Sequence, residues 1–291
     1  MSAHPPGFSS HPATDRASPA EAAGSVPPQI SRDQVVAIIP ARYASSRFPG
    51  KAIVDIAGKP MIQWVYERTR QAAGVGRVLV ATDDERIVRV VQGFGGHAVM
   101  TSPDHPTGTD RLAEVAATLD AELIVNVQGD EPLIEPSAID ATIAPFAADA
   151  TLVMSTLRCP IPTVDELFDI GITKVVCDAQ DFALYFSKAP IPYHRDGWGP
   201  IASMVARLRL TGGTPPVVGW RHIGLYVYRR TFLLAFARLP QTPLERLEQL
   251  EQLRALEHGY RIQVVPTQYV SVGVDTPEDV AKVKRLLRGE T

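Results

Sequence analysis

The sequence predicts an α/β fold with a mostly parallel central sheet, and three observations lead to this prediction. Strand-like and helix-like segments alternate along the chain after residue 33. The run 123–127 is continuously apolar, which is typical of a parallel strand buried on both faces. The chain has 291 residues, of which 45% are hydrophobic and 21% charged, so it can form a sizeable core. Regular strand–helix alternation of this kind indicates a parallel sheet covered by helices.

The first half of the chain alternates regularly between the two kinds of element. Strands are predicted at 35–39, 77–81 and 123–127, and helices at 61–72, 85–92 and 109–119. The first strand is rich in β-branched residues, and the first helix has Ile62, Val65 and Tyr66 at helical spacing. Thr109 is the expected N-cap of the third helix.

The second half changes character, because strands follow one another with few helices between them. Strands are predicted at 151–157, 173–177, 183–186, 221–228 and 260–265, and helices at 243–259 and 277–287. Residues 196–216 are rich in Gly and Pro and are predicted to form a long loop. Thr276 as N-cap, with Pro277 at the first helical position and Asp279 at the third, favours a helix start there. We therefore expect a smaller mixed or antiparallel layer beside the parallel sheet.

The N-terminal segment differs in composition from the rest of the chain. Residues 1–33 contain six prolines and many Ser and Ala residues, with few large apolar side chains. Such a segment cannot bury enough apolar surface to offset the entropy of ordering it. The sequence therefore predicts a disordered extension at 1–33 and one α/β domain at 34–291.

Overall composition argues against several classes of protein. The formal net charge of -3 does not favour binding to nucleic acid. No apolar run approaches the length of a membrane span. The two cysteines are too few for a disulfide framework, so a reducing, cytoplasmic setting is expected.

The segment 39–51 is the strongest functional signal in the sequence. It follows the first predicted strand and contains three cations, Arg42, Arg47 and Lys51, with Ser45, Ser46 and Gly50 between them. Arginine, lysine and exposed backbone N–H groups in one loop suit a polyphosphate. Open α/β sheets bind ligands beyond the carboxyl ends of their strands. The alternative is a solvated basic loop, and the segment matches neither a Walker A motif nor a Gly-x-Gly-x-x-Gly fingerprint.

Two aspartates stand at similar strand-to-turn junctions. Asp130 follows the buried strand at 123–127, and Asp275 precedes the last helix. Carboxylates at the edge of a sheet suit Mg²⁺, which usually takes one or two of them together with substrate phosphates. The alternative for Asp130 is a tight turn, and for Asp275 a helix-capping acid.

A strand face in the second half carries polar and aromatic groups. Alternation over 221–228 places His222, Gly224 and Tyr226 on one face. Such a face suits hydrogen bonding to a polyol, and the alternative is a half-buried sheet surface.

Taken together, these motifs resemble the 3-deoxy-manno-octulosonate (Kdo) cytidylyltransferase family, also called the CMP-Kdo synthetases of lipopolysaccharide biosynthesis. The resemblance runs from about residue 35 to 287. It rests on the segments 39–51, 81–84, 108–114, 125–132, 221–226, 250–254 and 273–279, which occur in this order.

The resemblance implies a fold, a reaction and a set of site residues. The implied fold is of the nucleotide-diphospho-sugar transferase type, with the smaller layer serving sugar binding and dimerisation, and the reaction is CTP + Kdo → CMP-Kdo + pyrophosphate, with Mg²⁺ and a homodimer. The nucleotide would be bound by Ala41, Arg42, Ser45, Arg47, Lys51, Thr109, Arg111 and Gln128, of which Arg42, Arg47 and Lys51, with Asp130, would be catalytic. The metal would be held by Asp130 and Asp275. The sugar acid would be bound by Lys188, Arg195, His222, Tyr226, Glu251 and Gln252.

Two positions depart from the family pattern. Lys188 stands where the family usually has Arg, and Lys cannot form two parallel bonds to a carboxylate. Asp110 stands where the family usually has Glu. Two alternatives therefore stay open: a cytidylyltransferase for another sugar acid, such as a sialic acid or an 8-amino Kdo analogue, and a non-catalytic nucleotide-binding regulator on the same fold.

Overall fold

The structure is a computed structural model that describes residues 30–44, 48–195 and 219–290. Its centre is a nine-stranded mixed sheet, with a separate two-stranded hairpin beside it. The strands are β1 (Val35–Ala41), β2 (Asp55–Ile56), β3 (Lys59–Pro60), β4 (Arg77–Thr82), β5 (Ala98–Met100), β6 (Leu123–Asn126), β7 (Met154–Pro160), β8 (Lys174–Cys177), β9 (Ala183–Ser187), β10 (Trp220–Arg229) and β11 (Gln263–Pro266). The described helices are α1 (Met61–Arg70), α2 (Glu85–Gly93), α3 (Gly108–Ala117), α4 (Pro136–Ile143), α5 (Pro145–Ala148), α6 (Val164–Phe168), α7 (Arg230–Phe236), α8 (Pro243–Glu248), α9 (Gln252–Glu257) and α10 (Pro277–Leu287).

The parallel half of the sheet matches the prediction from strand–helix alternation. β1 pairs in parallel with β4 on one side and with β6 on the other, and β5 extends the sheet beyond β4. All four residues of β6 are buried, as the continuous apolar run predicts. Apolar clusters cover both faces of this sheet, so the polar strand ends are left as the accessible edge.

The mixed part of the fold is continuous with the parallel sheet. β10 pairs antiparallel with β6, β7 and β8, and β9 pairs antiparallel with β8. The predicted smaller layer is therefore an extension of the central sheet. The register between β10 and β7 shifts between Ile223 and Tyr226, so β10 carries a bulge there.

Four predicted boundaries differ in the structure. The strand predicted at 151–157 is β7, at Met154–Pro160. Thr107, and not Thr109, caps α3, because Thr107 and Asp110 form a reciprocal capping box. The predicted helix at 243–259 is two helices, since Gln249 adopts a left-handed conformation with φ 54° and ends α8. The predicted strand at 260–265 begins only at Gln263.

The last residues of the predicted N-terminal extension contact the folded domain. Residues 32–34 form a 3₁₀ turn, and Arg32 Nε donates to the carbonyl of Val75 at 2.7 Å. Ile30 packs against the core. Residues 1–29, and the predicted loop at 196–216, lie outside the described residues.

The last helix is confirmed with both of its predicted bounds. Thr276 caps α10 and forms a capping box with Asp279, while Pro277 occupies the first turn. Within the described residues, no helix is both long and apolar enough to cross a bilayer.

Candidate active site

Three polar side chains from three distant segments meet at the carboxyl ends of the parallel strands. Lys51 Nζ donates to Asp130 Oδ2 at 2.7 Å and to Asp275 Oδ1 at 3.0 Å. Its third donor contacts the carbonyl of Val274 at 3.1 Å. Burial acts to lower the pKa of Lys51, but the charges and hydrogen bonds of the two aspartates outweigh it, so that pKa is raised. The ammonium is therefore fully charged and fully hydrogen-bonded.

Backbone geometry explains why these groups converge. Gly50 has φ 73°, a conformation that favours glycine, and it is the N-cap of the short 3₁₀ turn that begins with Lys51. Gly129 lies so close to β1 that an added Cβ would stand 2.6 Å from the carbonyl oxygen of Pro40. The N–H of Val274 donates to the carbonyl of Asp130 at 2.9 Å. Close backbone approach thus fixes both aspartates at one edge.

The predicted phosphate-binding residues are brought to this point where the structure describes them. Ala41 ends β1 and, with Arg42 and Lys51, lines a small cavity of about 80 Å³. Arg42 donates to the carbonyl of His105 at 2.8 Å, which anchors its guanidinium. Ser45 and Arg47 lie outside the described residues.

A larger cavity of about 350 Å³ adjoins the small one. Gln128 lines both cavities and therefore joins them. Its amide nitrogen donates to the carbonyl of Gly224 at 3.1 Å, which orients the side chain across the junction.

The strand face predicted from alternation lines the larger cavity. His222, Gly224 and Tyr226 all contribute to its wall, and the rings of His222 and Tyr226 lie 5.4 Å apart. Burial raises the pKa of Tyr226, with a smaller contribution from Glu251, so the phenol keeps its proton. The predicted shared face is confirmed, because His222, Gly224 and Tyr226 all line the same cavity.

Hydrogen bonding indicates which tautomer His222 adopts. Burial lowers the pKa of His222 to about 3, with Lys188 adding to the effect, so the ring is neutral at pH 7. Thr156 Oγ1 lies 2.9 Å from His222 Nε2 and 2.8 Å from the carbonyl of Leu225. A carbonyl can only accept, so the hydroxyl proton goes to it and Nε2–H donates to the hydroxyl oxygen. Nδ1 is then the acceptor of the ring.

Glu251 and Gln252 also lie at this end of the cleft. Glu251 Oε2 accepts a hydrogen bond of 2.5 Å from Thr109, and burial raises the pKa of Glu251. Gln252 is 5% exposed and lines the larger cavity. Its amide nitrogen is buried and has no hydrogen-bond partner among the described residues. A buried donor of this kind at a cavity wall indicates a place for a ligand acceptor.

Lys188 and Arg195 differ in how the structure places them. Lys188 is half-buried, donates to the carbonyl of Gly171 at 3.2 Å, and has its pKa lowered mainly by burial. Gly171 lines the larger cavity, so Lys188 is held beside that cavity. Arg195 is exposed and is the last residue of the described segment that ends before 196.

Arg111, a predicted nucleotide residue, lines neither of the two cavities. Its side chain has no exposed surface and is paired with Asp83 at 2.8 Å and with the hydroxyl of Thr101. Burial of a guanidinium requires such partners. In this conformation Arg111 stabilises the packing of α3 against β4, and Thr109 alone of this pair lies near the cleft.

Sequence reasoning missed three residues of this region. Arg221 and Ser271 line the larger cavity, although strand alternation places Arg221 on the opposite face from His222. Glu131 is buried, accepts a hydrogen bond from Tyr269 at 3.0 Å, and has its pKa raised by burial to about 7. Alternation predicts that Arg221 faces away from His222, and only the lining of the cavity shows that Arg221 also contributes to its wall.

The donor set at Lys51 also bears on metal binding. In the described residues, no group of three or more His, Cys, Asp or Glu side chains is arranged around a metal site. Asp130 and Asp275 nevertheless direct carboxylate oxygens at one position. A hard cation held by two carboxylates, with phosphate and water oxygens as its remaining ligands, fits this donor set.

The fold and the cleft together define the class of protein. Solved structures with this fold include a cytidylyltransferase from Leptospira borgpetersenii, with a TM-score of 0.57, 16% identity and coverage of 89% of this chain and 88% of that chain. The fold is that of the nucleotide-diphospho-sugar transferases, a class of nucleotidyltransferases.

Closer relatives show the family. Residues 36–262 match the cytidylyltransferase family. The 3-deoxy-manno-octulosonate cytidylyltransferase of Syntrophotalea carbinolica is 58% identical over 88% of this chain and 99% of its own length, and that of Geobacter metallireducens is 56% identical over 86% and 96%. A CMP:2-keto-3-deoxy-manno-octonic acid synthetase complexed with CTP has a TM-score of 0.78 and 41% identity, covering 89% of this chain and all of that chain. The chain belongs to the 3-deoxy-manno-octulosonate cytidylyltransferase family.

Proposed function

We propose that this protein transfers CMP from CTP to Kdo, giving CMP-Kdo and pyrophosphate, in the cytoplasm and as a step of lipopolysaccharide biosynthesis. One observation carries the proposal: Gln128 joins a small cationic cavity at the parallel strand ends to a larger polar cavity on β10. Two substrates that must react with each other need such adjoining compartments. The names of the family relatives supply the two substrates.

The small cavity is the nucleotide end of the cleft. Arg42 and Lys51 provide fixed positive charge for the triphosphate, and the loop between them adds Ser45 and Arg47 from outside the described residues. Charge that builds on the departing pyrophosphate is stabilised by these cations, which is the main catalytic contribution expected in phosphoryl chemistry.

Magnesium would be held by Asp130 and Asp275, whose carboxylates converge within 3.0 Å of one ammonium nitrogen. When bound, Mg²⁺ neutralises charge on the phosphate oxygens and aligns the reacting groups. The two aspartates come from different loops, so a shared ion would also tie those loops together.

The larger cavity is the sugar-acid end of the cleft. Gln252 offers an unpaired amide donor, and His222 and Tyr226 offer neutral hydrogen-bonding groups to hydroxyls of the sugar. Lys188 is held beside this wall through the carbonyl of Gly171, and it is the proposed partner of the sugar carboxylate. Arg195 and Glu251 complete the proposed sugar-binding set.

Catalysis then depends mostly on positioning. The anomeric hydroxyl of Kdo attacks the α-phosphorus of CTP in line and forms the new O–P bond, while its proton passes to water. Pyrophosphate leaves with the electrons of the broken bond. No side chain in the cleft is required as a covalent nucleophile. Holding the two reactants in adjoining cavities supplies the entropic advantage of an intramolecular reaction.

A homodimer is part of the proposal, on the strength of the family resemblance. Light scattering of the purified full chain on a size-exclusion column should give twice the mass of 31.6 kDa. A monomer mass at working concentrations would refute this element alone.

The test of function is pyrophosphate release with CTP and a panel of sugar acids: Kdo, an 8-amino Kdo analogue and a sialic acid. We expect Kdo to be used with the highest kcat/KM and UTP to replace CTP poorly. Preference for another acid would favour the first alternative, with Lys188 as the relevant departure. Binding of CTP without turnover of any acid would favour the regulator.

A further inference from the structure

The ammonium of Lys51 stands where the proposed metal would bind. It contacts Asp130 and Asp275, the two residues proposed to hold Mg²⁺, within 3.0 Å. The Lys51 side chain is only 18% exposed, so water competes weakly for these contacts. The site therefore already contains a cation, supplied by the protein itself.

All three donors of this ammonium are engaged. A lysine has three N–H donors, and those of Lys51 contact Asp130, Asp275 and the carbonyl of Val274. Lys51 thus cannot bind a phosphate oxygen without giving up one of these contacts. Lys51 can therefore bind the triphosphate of CTP only if it releases part of its contacts with the aspartates.

Charge considerations lead in the same direction. Two carboxylates and one ammonium leave the cluster with one net negative charge. A free divalent cation that enters this cluster is repelled by the positive charge of the Lys51 ammonium, which is already hydrogen-bonded to both carboxylates. A triphosphate attracts the ammonium away from the carboxylates, and the pair is then left with two negative charges that favour a divalent cation.

We propose that Lys51 acts as an internal counter-ion that blocks the Asp130–Asp275 pair to free divalent cations, so that metal binds tightly there only together with the nucleotide. This inference rests on the proposed function for the identity of the nucleotide. It goes beyond that function because it specifies an order of assembly. The enzyme would avoid holding a metal in the absence of CTP.

The test measures binding of Mn²⁺ alone, as the probe, to the nucleotide-free full chain by the electron paramagnetic resonance signal of unbound Mn²⁺. Lys51→Met removes the charge and keeps the chain length. We expect it to bind Mn²⁺ at least about tenfold more tightly than wild type, since one like charge in contact with both ligands is gone. The double variant Lys51→Met, Asp130→Asn should lose this gain in Mn²⁺ affinity, because one of the two carboxylate ligands is missing.

Lys59→Met is the matched control. Lys59 is paired with Glu67 at 2.6 Å outside the cleft, so its loss changes the net charge equally. It should leave Mn²⁺ affinity unchanged. If Lys51→Met fails to fold by circular dichroism, Lys51→Gln is measured in its place.

Two results would overturn the inference: equal Mn²⁺ affinity in wild type and the Lys51 variant, or an equal gain in Lys59→Met. Pyrophosphate release by wild type from CTP and Kdo is measured on the same preparation. If wild type is active but the affinities are equal, the inference fails while the proposed function stands. If wild type is inactive with every sugar acid, the proposed function fails independently.

Discussion

Removal of one carboxylate at a time tests whether Asp130 and Asp275 act through a single ion. Asp130→Asn and Asp275→Asn keep the size and shape of each side chain and remove its charge. Their side chains are 33% and 43% exposed, so neither is part of the core, and the fold should be retained. The circular dichroism spectra of both variants should match that of wild type.

The structure sets the expected magnitude. Both carboxylates lie within 3.0 Å of the same nitrogen, so one cation between them can contact both after small adjustments. Loss of one preorganised electrostatic contact to a reacting group typically costs about 10²–10³ in kcat, or about 2.7–4 kcal/mol. Each single variant should therefore lose at least about a hundredfold in turnover.

The double variant separates a shared ion from two independent effects. Independent contributions multiply, which would give a loss of about 10⁴ or more, whereas residues acting as a unit are grossly non-additive. We expect the double variant to be only slightly slower than the slower single variant.

The assay is pyrophosphate release at saturating CTP, Kdo and Mg²⁺. Asp55→Asn serves as the control, because Asp55 is exposed and its one ion pair among the described residues is with Lys284, at 3.5 Å. It should retain wild-type turnover. Near-normal turnover in either single variant, or a multiplicative loss in the double variant, would refute the shared-ion reasoning.

Three further predictions concern the sugar site, acid stability and the N-terminus. Lys188→Arg should lower the KM for Kdo or leave it unchanged, because a guanidinium can bind a carboxylate bidentately; a several-fold rise in that KM with unchanged CTP kinetics would contradict this. The pKa of His222 is about 3 in the folded protein and 6.5 as a free side chain, so the unfolded chain gains a proton first and stability falls as pH drops below 6.5. Urea unfolding at different pH values should show a loss of at most about 2 kcal/mol by about pH 5 in wild type and in the control His97→Gln. His222→Gln should not show this loss, and equal slopes of stability against pH for wild type and His222→Gln would count against the prediction. Removal of residues 1–29 should leave the melting temperature unchanged, whereas removal of 1–33 should lower it because Arg32 donates to Val75; equal melting temperatures for the two truncations would exclude that role.

Local sequence patterns predicted most of the fold because the parallel half depends on local signals. The apolar run of β6 and the cap of α10 each lie within a few residues of the structure they specify. The split between α8 and α9 was missed because Gln249 gives no glycine-like signal for a left-handed residue. The N-cap of α3 was misplaced because Thr107 and Thr109 are both good caps, and only the reciprocal bonding with Asp110 decides between them.

The candidate site was predictable to the extent that its residues occur at strand ends. Asp130 follows the parallel strand β6, and the ends of parallel strands meet at one edge. The strand-to-turn junction predicted at Asp275 is wrong, because no strand lies between Pro266 and α10, and the hydrogen bond from Val274 to Asp130 holds this segment at the edge. The burial of Arg111 depends on Asp83 and Thr101, which belong to other elements, so no local pattern reveals it. The contribution of Arg221 to the cleft wall is likewise not visible in the alternation of β10, which places Arg221 on the face opposite His222.

Two lysines with all three donors engaged show how such a group can be assigned a structural or a functional role. Lys174 is fully buried and donates to three backbone carbonyls, those of Asp169, Ile172 and Lys188. Burial lowers the pKa of Lys174. Because its acceptors are backbone carbonyls, Lys174 holds the backbone of the segment that carries Lys188. Lys51 is partly exposed, and two of its acceptors are carboxylates suited to a metal, which also raise its pKa. The acceptors, rather than the saturation of the ammonium, therefore distinguish a lysine that only holds the fold from one that can exchange its partners for a nucleotide and a metal.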